Sequence, residues 1–183
     1  MTTDELLIVI DVQNGFVNAN SAHVVQPIAA FLTRWLRANP ERLAVLTRYQ
    51  NPPGSKWESL MDWTNLRTSP ETDLVDDLQR LATDPTVGKQ ILIVDKETYT
   101  SLTAQVNDLI RQRSVRKLYL CGIATDACVL KTAMDAFEDN DLVPIVLTDL
   151  CASNAGSDVH TAALLLIGRA IGHKQLLTSN EID

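Results

Sequence analysis

Long apolar runs are missing from this 183-residue sequence. The longest, residues 6–10 and 162–167, fall far short of the roughly 20 residues that a membrane-spanning helix needs. Basic residues are the minority, 16 against 23 acidic for a net charge of -7, and they form no stripe. Nucleic acid and anionic membrane are therefore excluded as partners. Cysteine is sparse: three residues, an odd number, with no CxxC pair and no histidine nearby at metal-ligand spacing. That argues against a disulfide framework and for reduced thiols. The first apolar run is preceded by Asp4 and Glu5 rather than by the basic opening of a signal peptide, so a cytoplasmic location is expected. Repeats, low-complexity tracts and composition shifts are also lacking, and residues 1–183 read as one domain. With 45% hydrophobic residues the chain can bury a sizeable core.

What is present is an alternation. Residues 6–11, 43–47, 91–95, 117–121 and 143–148 are short apolar runs rich in β-branched residues, the pattern of strands buried on both faces. Between them apolar residues recur at helical spacing: Ile28, Phe31, Leu32, Trp35 and Leu36; Leu74, Val75, Leu78 and Leu81; Leu102, Val106, Leu109 and Ile110. A fourth helix is predicted over 126–139, with Val129, Ala133, Ala136 and Phe137 on its buried face, and a fifth over 158–171. Residues 175–178 are read as a short sixth strand. The pattern predicts an α/β fold: a doubly wound, Rossmann-like and mainly parallel sheet of five to six strands with helices on both faces.

In such a sheet, ligands sit beyond the carboxyl ends of the strands. The first strand ends at Asp11, the third at Asp95 and Lys96, and the fourth runs into a helix whose first turn carries Cys128. A carboxylate, an ammonium and a thiol thus meet on one rim. A helix capped near Thr125 or Asp126, together with Lys96, should lower the thiol pKa and favour the nucleophilic thiolate. Asp11 can accept the thiol proton and return it to the leaving group, while the backbone N–H groups of Ala124 and Cys128 can hold an oxyanion. Taken singly, each residue also has an ordinary structural role: Asp11 as a turn former, Lys96 as a solvated lysine, Cys128 as core packing. Cys121, inside a strand, and Cys151, in a loop, are read as packing.

Residues 7–16 (LIVIDVQNGF), 96–102 (KETYTSL), 122–136 (GIATDACVLKTAMDA) and 148–153 (TDLCAS), with His160 and the Ala162–Ala163 pair, resemble in order and spacing the isochorismatase-like cysteine hydrolases. Leu102 departs from the family, which usually has an aromatic residue there. The resemblance implies a triad of Asp11 as base, Lys96 as orienting cation and Cys128 as nucleophile. It also implies a cis peptide between Ile123 and Ala124 that aims backbone donors at the oxyanion, and a homo-oligomer. Nicotinamidases of this family hold a metal with an aspartate and histidines after the second strand; here residues 47–53 read TRYQNPP, so neither a metal nor any other cofactor is expected. His23 and His173 are read as surface or helix-end residues and His160 as packing or capping. Gln13, Phe16, Tyr49, Trp57 and Thr125, with Trp63, are the pocket candidates; the aromatics fit equally a lid or a subunit contact.

The reaction expected is hydrolysis of a small amide or carbamoyl substrate through a covalent Cys128 intermediate, with enol-ether hydrolysis of an isochorismate-type substrate second. From a different class, an inactive or ligand-binding α/β module remains open. A phospho-receiver is disfavoured, because Asp11-Val12-Gln13 lacks the adjacent acidic pair that would hold Mg²⁺.

Overall fold

The computed structural model describes residues 4–139 and 141–182. The chain runs β1 (Glu5–Ile10), α1 (Val25–Ala38), β2 (Leu43–Tyr49), α2 (Lys56–Met61), α3 (Asp76–Thr83), β3 (Ile91–Lys96), α4 (Ala104–Arg113), β4 (Lys117–Ile123), α5 (Leu130–Glu138), β5 (Val143–Ala152), α6 (Ser157–Ile171) and β6 (Leu176–Leu177). The strands form one sheet in the order β3-β2-β1-β4-β5-β6, and every pairing is parallel. Helices cover both faces, with α1 packed on α3 and α5 on α6.

Burial follows position in the sheet. β1 and β4 lie at its centre, and from Leu6 to Ile10 every side chain of β1 is at most 1% exposed. Each such apolar side chain contributes about 1.5–3 kcal/mol when fully withdrawn from water. β3 is an edge strand, and its first three residues are only half-buried. Among the described residues no helix is long and apolar enough to cross a membrane.

Four expectations need correction. β5 extends to Ala152, so Cys151 lies in a strand rather than a loop; Leu120 pairs with Val146 but Gly122 with Cys151, an irregularity that absorbs the extra length. The helix after β4 opens with a π-helical turn, Thr125–Val129, and α5 proper starts at Leu130. Its N-cap is Ala124, which lends no side-chain hydrogen bond, so neither Thr125 nor Asp126 caps it. Phe137 faces outward at 53% exposure.

Gly122 holds the two central strands at contact distance. Its φ is +122°, and a Cβ there would stand 2.1 Å from the Ile10 carbonyl oxygen. Backbone cannot yield as a flexible side chain does, so Gly122→Ala should destabilise the fold by at least about 4 kcal/mol. Urea unfolding of the variant, or its failure to accumulate as folded protein, checks this.

Candidate active site

The strand order reverses between β1 and β4, which leaves a crevice beyond their carboxyl ends. Three elements deliver reactive side chains to it. Asp11 follows β1 with φ +51°, a left-handed conformation that aspartate tolerates better than most residues. Its backbone N–H donates to Thr47 Oγ1 at 3.2 Å, and the Thr47 hydroxyl donates to Asp11 Oδ1 at 2.7 Å. Thr47 of the next strand thus holds Asp11 at its backbone and at one carboxylate oxygen.

Lys96 closes β3, in register with Tyr49 of β2, and its Nζ lies 5.6 Å from the Tyr49 ring centre. The ammonium donates to the carbonyls of Thr98 and Tyr99 at 2.8 and 3.1 Å and to Cys128 Sγ at 3.6 Å. Asp11 Oδ2 is 2.7 Å from the same nitrogen, and both side chains are 0% exposed. That approach is an ion pair without hydrogen-bond alignment, which leaves Oδ2 no hydrogen-bond partner among the described residues. Burial works against the lysine's charge, but Asp11 and Cys128 outweigh it and its pKa is raised.

Cys128 sits in the π-turn at 5% exposure. Contrary to the lowered pKa expected from a helix start beside a lysine, its thiol is pushed well above the ordinary cysteine value. Burial is the main cause and the Asp11 carboxylate adds to it, with Lys96 opposing. The resting group is therefore a thiol, not a free thiolate. Alkylation by iodoacetamide should be slower at neutral pH than for an exposed cysteine, and its rate should keep rising above the usual thiol pKa of about 8.5. A plateau below that pH would contradict the geometry.

Behind these three side chains a chain of hydrogen bonds joins the lysine segment to the turn that carries Cys128. The backbone N–H of Ser101 donates to Thr132 Oγ1 at 2.9 Å, and that hydroxyl donates to the Cys128 carbonyl at 2.7 Å. The Ile123–Ala124 peptide is cis, and the N–H groups of Ala127 and Val129 both donate to the Ala124 carbonyl.

A cavity of about 320 Å³ opens over Cys128, lined by Phe16, Tyr49, Trp57, Met61, Trp63, Tyr99, Ala124, Asp126, Ala127, Cys128 and Asn154. The aromatic side chains proposed from sequence meet here. Tyr49 is the hub: Trp57, Trp63 and Phe16 lie 5.2, 5.9 and 6.0 Å from it, and Tyr99 packs edge-on to Trp57 at 5.3 Å. Gln13 and Thr125 lie outside the lining. Gln13 is fully buried, donating to the carbonyls of Tyr49 and Thr72 and accepting from the Tyr49 N–H at 2.7 Å. Thr125 Oγ1 is 2.8 Å from His160 Nδ1.

Met61, Tyr99, Asp126 and Asn154 line the cavity without having been among the pocket candidates, and Thr47 and Thr132 support it from behind. Tyr99 was within reach of a sequence argument, three residues after Lys96, and Thr47 was at a strand end beside Asp11. Asn154 and Met61 come from loops and a helix end that periodicity does not locate.

The position after β2 does not fit a metal ion. Asn51 is buried there, its amide N–H groups donate to the carbonyls of Trp63 and Asn65, and its oxygen accepts from Ser55 at 2.6 Å. Among the described residues no three histidine, cysteine, aspartate or glutamate side chains gather as ligands. His23 and His173 are exposed.

Residues 5–173 match a family model described as the isochorismatase domain. A ureidoacrylate amidohydrolase from Acinetobacter baylyi is 27% identical over 101 residues, 55% of this chain but 38% of that protein's length. Among solved structures, a nicotinamidase from Bacillus subtilis superposes with a TM-score of 0.80 at 23% identity, covering 96% of this chain and 99% of that one. An N-carbamoylsarcosine amidase from Thermoplasma acidophilum gives 0.77 at 18% identity, with 100% and 99% covered. At these identities the two structures speak for the fold.

Proposed function

This chain belongs to the isochorismatase family of hydrolases, and from that premise we propose that it cleaves a small amide or carbamoyl substrate through a covalent thioester on Cys128. The observation that carries the reading is the buried constellation at the cavity floor. Lys96 Nζ stands 2.7 Å from Asp11 Oδ2 and 3.6 Å from Cys128 Sγ. The names of the relatives, an amidohydrolase and an amidase, support amide chemistry over enol-ether cleavage.

The steps balance without a further reactant. Asp11 takes the thiol proton as the sulfur attacks the carbonyl carbon, and Lys96 stabilises the negative charge as it forms on sulfur. The oxyanion is held by the backbone N–H groups of Ala124 and Cys128. Asp11 then gives its proton to the leaving nitrogen as the C–N bond breaks, and the amine departs. Water attacks the thioester, Asp11 receives its proton, the C–S bond breaks, and that proton returns to sulfur. Amide and water have become acid and amine, and the triad is restored.

Because Oδ1 of Asp11 is engaged by Thr47, Oδ2 is the oxygen that serves as base. Thr47→Val, which keeps the shape and removes this bond to a charged group, should lower kcat by about tenfold or more with little change in KM. Steady-state kinetics on any amide that is turned over checks it.

The direct test is intact-mass spectrometry of the native chain and Cys128→Ala after exposure to a panel of small amides and carbamoyl compounds. An acyl adduct on the native chain alone is expected; adducts on both, or turnover without Cys128, would overturn the mechanism. Leu165 and Leu166 on α6, at 64% and 56% exposure, support a homo-oligomer, and a sedimentation mass above that of the monomer is its check.

A further inference from the structure

The cavity over Cys128 has five aromatic rings in its lining, Phe16, Tyr49, Trp57, Trp63 and Tyr99. Among its lining residues only Asp126 carries a formal charge, and that charge is negative. Resting on the amide-hydrolase reading above, we infer that this wall selects substrates whose far end is a cation, an ammonium or quaternary ammonium group, over neutral or carboxylate-bearing amides.

Two observations converge. The rings form a continuous cluster along the wall of one cavity, with neighbouring centres 5.2–6.1 Å apart. Aromatic faces attract a desolvated cation and offer nothing comparable to a carboxylate. Asp126, in the same lining, adds a formal charge of the right sign.

The cations nearby do not reverse the sign. Lys96 is 0% exposed and neutralised by Asp11, while Lys56 and Lys131 border the adjoining groove rather than the cavity. The net charge of -7 reinforces attraction of a positive ligand from solution.

Recognition can be measured apart from chemistry by calorimetric titration of Cys128→Ala. Three amides of one chain length serve as probes: one ending in trimethylammonium, its tert-butyl isostere, and one ending in carboxylate. The cation should bind about tenfold tighter than the isostere, with the carboxylate weakest. Asp126→Asn and Trp57→Leu, each shown to be folded by circular dichroism, should each narrow the ratio of cation to isostere.

Equal binding of cation and isostere, or a preference untouched by both substitutions, overturns the inference. Intact-mass measurement on the native chain keeps the two readings apart. A Cys128 adduct with the isostere, together with equal binding of all three, would leave the hydrolase standing and remove the cation preference. Selective cation binding with no adduct from any amide would remove the hydrolase reading and leave the recognition.

Discussion

Cys128→Ala is expected to abolish turnover, with kcat falling by at least about 10⁴-fold, because the groups of a nucleophilic triad act as a unit. The residual rate would be what cavity binding and backbone donors supply on their own. No other sulfur can substitute. Cys121 and Cys151 are buried in β4 and β5, and burial pushes the Cys151 thiol up to about 12. The fold should survive, since Cys128 packs as a small hydrophobe at the start of its helix and losing one sulfur atom costs on the order of 1 kcal/mol. The measurement pairs ammonia release from a turned-over amide with urea unfolding of both proteins. Full activity in the variant would end the covalent scheme; loss of activity with loss of folding would leave the mass-spectrometric adduct to decide.

Lys96→Met should damage both stability and rate. The substitution keeps most of the side-chain volume but strands a fully buried Asp11 carboxylate whose remaining side-chain partner is Thr47. Breaking a buried ion pair in this way typically destabilises by about 3–5 kcal/mol. In the double variant with Asp11→Asn much of that loss should return, because the uncompensated charge has gone, and the double-mutant cycle isolates the coupling. On the chemical side, Lys96 is what opposes the upward push on the Cys128 thiol. Without it the alkylation profile should move further toward alkaline pH and kcat should fall by about 100-fold or more. Unchanged stability would mean that the pair is solvated, contrary to its burial.

The sheet was readable in the sequence because a strand buried on both faces must be a short apolar run, and five such runs separated by helical spacing admit few arrangements. That Asp11, Lys96 and Cys128 would meet was readable for a related reason: residues at or just beyond the carboxyl ends of neighbouring parallel strands share one rim. What failed depended on local hydrogen bonding that periodicity does not encode. A π-turn and an α-turn carry the same apolar residues, so the entry to α5 was misread at Thr125. The end of β5 was missed because its irregular pairing interrupts the run before Cys151. The thiol's electrostatics went wrong because a sequence shows the lysine and the helix start but not the depth of burial, and burial dominates. Gln13 looked like a pocket residue by its place after Asp11, yet both ends of its amide are occupied by the backbone of Tyr49 and Thr72.

Asn51 clamps the carbonyls of Trp63 and Asn65, so the stretch from Pro52 to Asn65 leaves and rejoins the body of the protein at almost one point. That stretch contributes Trp57, Met61 and Trp63 to the cavity and none of Asp11, Lys96 and Cys128, which arrive from the end of β1, from β3 and from the turn after β4. Part of the appetite is therefore written in a passage of the chain that carries none of the chemistry. Grafting a different stretch between the same two anchors offers a route to new diets with the reactive core left intact.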